Sequence, residues 1–150
     1  AIIIWLIDKY RKLSWLPILA AALVFALSDL TSVNLFKNVF ERLRPCHDPE
    51  IMDRVILVKG YCGGLYSFVS SHATNTFAFA TISSLILRTR WYTISIICWA
   101  AVVTYTRLYM GVHFPIVVTC GALLGVAIAV LVYLLYKKIF GKLDRPQPVH

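Results

Sequence analysis

Charge is scarce in this chain. Only 15% of its 150 residues are Asp, Glu, Lys or Arg, and just seven of those are acidic. Soluble domains carry roughly 25% charged residues, so a soluble fold with an ordinary polar surface is excluded. The chain also lacks internal repeats, low-complexity segments and any basic helix interleaved with aromatics. A formal charge of +8 therefore does not indicate nucleic acid, because most of the Lys and Arg flank apolar runs. No charged, cleavable leader is visible, and a truncated start could not show one; the first residue, Ala1, already lies in an apolar stretch. The expectation is an N-terminally truncated chain of one domain, residues 1–150.

What the sequence does have is hydrophobic length. Apolar residues make up 59% of it. The pattern predicts an all-α integral membrane bundle of four full transmembrane helices, at residues 14–30, 65–87, 91–109 and 114–136, after a helix fragment at 1–7. The mixed region 31–65 is too polar to cross and is expected as an extracytoplasmic loop or helix between the first two full spans. Lys9, Arg11, Lys12, Arg88, Arg90, Lys137, Lys138, Lys142 and Arg145 then fall on one side, which the positive-inside rule makes cytoplasmic.

Three polar segments converge on the opposite side. "KNVFERLRP" carries Lys37 and Arg44 seven residues apart, nearly one face of a helix that Pro45 should end at Arg44. Two such cations suit a polyanion, with Arg giving bidentate contacts and Lys a point charge. The plainer alternative is an interfacial helix facing headgroups. "VSSH" opens a helix, where free N–H groups and the hydroxyls of Ser70 and Ser71 favour an anion beside His72. Its plainer alternative is a serine cap plus an interhelical histidine. "TRLYMGVHFP" places Arg107 and His113 around a tight turn containing Gly111. Together, three cations would hold phosphate oxygens while two imidazoles act on opposite sides of phosphorus, as in-line displacement requires.

These residues resemble the type 2 phosphatidic acid phosphatase family, membrane lipid phosphatases related in fold to vanadium haloperoxidases, which include phosphatidylglycerophosphatase and undecaprenyl-pyrophosphatase types. That family carries Lys-x6-Arg-Pro, Pro-Ser-Gly-His and Ser-Arg-x5-His-x3-Asp. Here the first is complete from Lys37 to Pro45. The second keeps Ser70 and His72, with Val69 and Ser71 replacing proline and glycine. The third keeps Arg107 and His113, with Thr106 in the serine position. The resemblance implies that His113 attacks phosphorus and forms a phosphohistidine. His72 would protonate the leaving lipid alkoxide and then deprotonate water. Lys37, Arg44, Ser70, Ser71 and Arg107 would bind the phosphoryl oxygens, with no metal or other cofactor. It further implies a bacterial inner membrane, a periplasmic active site, and the bilayer and a lipid phosphate as partners. Phosphatidylglycerophosphate, undecaprenyl pyrophosphate, phosphatidic acid and a lipid A phosphate all remain open as substrates.

One departure stands out. The family's acid, four residues after the nucleophilic histidine, is here Val117. Residues one turn apart meet on a helix, so His113 loses the carboxylate that would hold its tautomer. This leaves a second expectation: a protein that binds or flips a lipid phosphate with little turnover. A transporter would carry its ionisable groups near the membrane midplane, whereas these sit at one end. Cys46 and Cys62 fall on the outer side, where a disulfide persists. A metal bound with His47 would lack a fourth ligand. Cys98 and Cys120 read as small core residues.

Overall fold

The computed structural model describes residues 15–143. The helix fragment at 1–7, its flanking Lys9, Arg11 and Lys12, and Arg145 in the tail lie outside the described residues. Four helices dominate: α1 (Trp15–Leu30), α2 (Ser71–Leu87), α3 (Arg90–Tyr109) and α4 (Pro115–Leu143). No strand forms among the described residues, and one antiparallel bridge pairs Leu43 with Tyr66. Two stretches, Trp15–Phe40 and Pro115–Ile139, are long and apolar enough to cross a membrane.

Local sequence accounts for several helix ends. Ser70 caps α2, its Oγ accepting from the Ala73 N–H at 3.5 Å. Arg88 turns into the left-handed region at the other end, and α3 follows within two residues. Pro115 opens α4, where a missing N–H costs nothing. Gly111 makes the α3–α4 turn at φ +68, and a Cβ there would stand 3.0 Å from the Ile56 carbonyl oxygen. The loop 41–70 therefore rests directly on that turn.

Helix α2 is the hub, packed by α1, α3 and α4. The core holds Ala20, Val24, Ala78, Ile82, Ile86, Ala129 and Val132. Small residues let α4 approach. A Cβ on Gly121 would sit 2.8 Å from the Ser70 carbonyl oxygen, and one on Gly125 would overlap the carbonyl of Thr74. This is the small-x3-small packing of helices whose association cannot rely on hydrophobicity alone. The outer surface is apolar instead: Leu19, Phe25, Val102 and Leu131 are all exposed. Apolar exposure on this scale, on every one of these helices, marks a surface meant to be covered.

Three expectations change. The first helix does not stop near residue 30. It continues through a π-helical turn, Thr31–Lys37, and a last α turn, Asn38–Phe40. Lys37 and Arg44 do not share a helix face. Glu41 takes φ 45 and breaks the helix, and Arg44 is extended, as a residue preceding proline should be. Arg44 N–H donates to Leu65 O at 3.1 Å and Ser67 N–H to Arg42 O at 2.8 Å, so this strip pairs with the chain leading into α2. Cys120, on α4, is only half-buried, and Cys98 is exposed, because α3 packs mainly on α2 and turns its other face outward.

Candidate active site

Antiparallel alternation brings the C-terminal end of α1 and its extension, the start of α2, the end of α3 and the start of α4 to one end of the bundle. The aromatic rings of Phe36, Phe40 and Phe68 lock the first two together, with Phe40 and Phe68 edge-on at 5.0 Å between centroids. Arg42 lies over the Phe114 ring at 4.7 Å, which ties the loop to the residue beside His113. Arg88 and Arg90 lie at the opposite end, where the Arg88 guanidinium donates to the Tyr133 hydroxyl at 2.8 Å.

Arg44, Arg107, His72 and His113 line a single cavity of about 180 Å³. They come from the loop, the end of α3, the first turn of α2 and the α3–α4 turn. The rest of its wall includes Tyr61, Cys62, Gly63 and Gly64, which the sequence reading did not single out as lining. Their only signal was the "YCGG" run before the second motif.

Each charged group is held from behind. Arg44 donates from Nη1 to Cys62 O at 2.9 Å and from Nε to Tyr66 O at 3.4 Å. Gly63 leaves room for it, since a Cβ there would stand 2.9 Å from Nη1. Cys46 and Cys62 are joined by a disulfide, with Cα atoms 6.1 Å apart, so the loop that supplies the Cys62 carbonyl is tethered two residues beyond Arg44. Arg107 donates from Nε to Thr106 Oγ1 at 3.2 Å, and that hydroxyl donates to Val103 O at 2.6 Å. Cys46, His47 and Cys62 form one cluster within 4.8 Å, but the disulfide occupies both sulfurs, leaving no thiolate for a metal.

The remaining site residues stand beside the cavity and do not line it. Lys37 Nζ donates to Ser71 Oγ at 2.7 Å. Ser70 is fully buried and spends its hydroxyl on the helix cap. The N–H groups of Ser71 and His72 open α2 with no carbonyl behind them, the usual state of a first turn.

His113 is buried, and its Nδ1 has no hydrogen-bond partner among the described residues. Val117, one turn on, is fully buried and offers no acceptor. Burial, with the charges of Arg44, Lys37, His72 and Arg107, pulls the His113 pKa down to about 3. The imidazole is therefore neutral at pH 7 and keeps a lone pair. A neutral imidazole, a second imidazole on the same cavity and two guanidiniums together could bind an anion and exchange protons with it.

Known proteins resemble this chain in sequence. The PAP2 superfamily model matches residues 14–140. A lipid A 4'-phosphatase of Porphyromonas gingivalis is 39% identical over 117 residues, covering 78% of this chain and 50% of that protein. A lipid A 4'-phosphatase of Bacteroides thetaiotaomicron is 35% identical over 140 residues, covering 92% of this chain and 62% of that protein. An undecaprenyl-diphosphatase of Sulfolobus acidocaldarius is 28% identical over 141 residues, covering 79% of this chain and 62% of its own length. The chain thus spans about half to three-fifths of the curated relatives it matches. No solved structure matches it.

Proposed function

As the chain belongs to the PAP2 superfamily, we propose that it is an integral-membrane phosphatase that hydrolyses a phosphomonoester or pyrophosphate of a lipid. The observation that carries this reading is the meeting of Arg44, Arg107, His72 and His113 on one cavity at one end of an apolar bundle. A lipid A-type saccharide phosphate is the first substrate to test, because two relatives bear that name.

In the proposed mechanism, Arg44 and Arg107 take the phosphoryl oxygens, with Lys37 and the Ser71 and His72 N–H groups completing the anion cradle. Ser70 acts as the helix cap that presents those N–H groups. A ring nitrogen of His113 attacks phosphorus, the bond from phosphorus to the lipid oxygen breaks, and His72 gives that oxygen its proton. In the second step His72 takes a proton from water, the water oxygen attacks phosphorus, and the P–N bond breaks to release inorganic phosphate. Charge neutralisation rests on the cations, as preorganised electrostatics at a phosphoryl centre should.

The proposed topology has four spans, α1 to α4. The ends that carry Arg88, Arg90, Lys137 and Lys138 face the cytoplasm and the cavity faces the periplasm of a bacterial inner membrane. The Cys46–Cys62 disulfide favours the same sidedness, since such bonds persist in oxidising compartments.

The bare Nδ1 of His113 supports a second reading, a lipid-phosphate binding protein with little turnover. Phosphate release from a panel of purified lipid phosphates separates the two. The phosphatase reading expects release from at least one lipid and its loss in His113→Ala with the fold intact. Binding without release would favour the second.

A further inference from the structure

Ser32 belongs to none of the motifs, yet it is fully buried and lies two hydrogen bonds from the ammonium of Lys37. Its Oγ donates to the Asp29 carbonyl oxygen at 3.0 Å. A hydroxyl has one proton. In its 2.7 Å contact with Ser71 Oγ, Ser32 must therefore accept, and Ser71 must donate. The Ser71 oxygen in turn accepts from Lys37 Nζ at 2.7 Å. The chain has one direction: ammonium to Ser71, Ser71 to Ser32, Ser32 to backbone. A side-chain contact supports the same corner, with Asn75 Nδ2 donating to Asp29 Oδ1 at 3.3 Å.

Helix geometry explains why two residues five apart reach one hydroxyl. On an α-helix they would point about 140° apart. The π turn Thr31–Lys37 changes the period, and Asn38 N–H donates to Val33 O five residues back. Residues five apart then share a side, so Ser32 and Lys37 both face the start of α2.

We infer that Ser32 and the π turn that carries it are a positioning device for Lys37, holding its ammonium at the first turn of α2 where the phosphate is to bind. The inference rests on the phosphate-site reading above and adds a residue to it. It also changes the part played by Ser71. With its proton committed to Ser32, its hydroxyl has none for a phosphate oxygen, so what Ser71 offers the anion is its backbone N–H.

The test is the affinity of the purified full chain in detergent for inorganic phosphate, read by calorimetry, with Ser32→Ala and Lys37→Met combined in a double-mutant cycle. Ser32→Ala should weaken phosphate binding by about three- to tenfold. It should cost nothing further in the Lys37→Met background, and Ser32→Thr should retain the native affinity. Unchanged affinity in Ser32→Ala, or the same loss in both backgrounds, overturns the inference. If Ser32→Ala does not fold, Ser71→Ala replaces it, and absence of coupling to Lys37 there is equally fatal. Failure of the unsubstituted protein to bind phosphate overturns the phosphate site itself. Binding without coupling overturns only the role of Ser32.

Discussion

Val117 stands one helical turn beyond His113, fully buried, and the Nδ1 of that histidine meets no acceptor among the described residues. Where a buried imidazole must carry positive charge during reaction, a carboxylate at this point stabilises it. Turning the corresponding acid of a serine protease into an amide costs about 10⁴-fold in turnover. Val117→Asp should therefore raise phosphate release at least tenfold. Equal rates in the two proteins would show that the position does not limit this chain.

The depressed pKa of His113 gives a pH dependence of stability. The folded value, about 3, lies below the ordinary 6.5, so between these values the unfolded chain binds the extra proton. Stability is complete above about pH 6.5 and is lost as pH falls toward 3. Going from pH 7 to pH 5 should cost about 2 kcal/mol from this group alone. Thermal unfolding in detergent across that range should show the slope, and His113→Asn should flatten it. A slope unchanged by the substitution would place the acid sensitivity elsewhere.

Close approach of α4 to α2 predicts a contrast among glycines. Gly125→Ala puts a methyl into the Thr74 carbonyl and must push the helices apart. A loss of about 1–3 kcal/mol is expected, the range for overpacked sites. Gly64→Ala meets nothing within 4 Å and should unfold at the native temperature. Similar midpoints for both variants would mean that α2 and α4 are not in contact at that depth.

Reducing the Cys46–Cys62 disulfide, with two electrons and two protons from a dithiol, frees the segment whose Cys62 carbonyl holds Arg44. Closing a loop of this size contributes about 3 kcal/mol. Reduced and alkylated protein should unfold earlier and bind inorganic phosphate more weakly. Mass measurement after alkylation, with and without reductant, checks the bridge itself. Alkylation of both thiols without reductant would dismiss it.

Much of this site could be read from residue types and spacing. His72, His113, Arg44 and Arg107 were legible because cations and imidazoles are costly beside apolar spans and here fall at alternate span ends. The cap at Ser70 and the turn at Gly111 were legible for local reasons. What was hidden depends on contacts between segments. No periodicity signals a π turn, so the continuation of the first helix past Leu30 and the alignment of Ser32 with Lys37 were invisible. Pro45 was expected to end the helix at Arg44, yet the break comes earlier, at Glu41, and Pro45 instead opens a short 3-10 turn after the strip in which Leu43 pairs with Tyr66. Cys98 reads as core by its type but is exposed, because the one face of α3 that packs does not include it.

The account turns on phosphorus reaching His113. Brief reaction with a ³²P-labelled lipid phosphate, quenched in base and mapped by peptide mass, measures this directly. The account predicts an acid-labile phosphoryl group on His113, absent from His113→Ala, which should also release no phosphate. Label on another residue, or release that survives in His113→Ala, would contradict it.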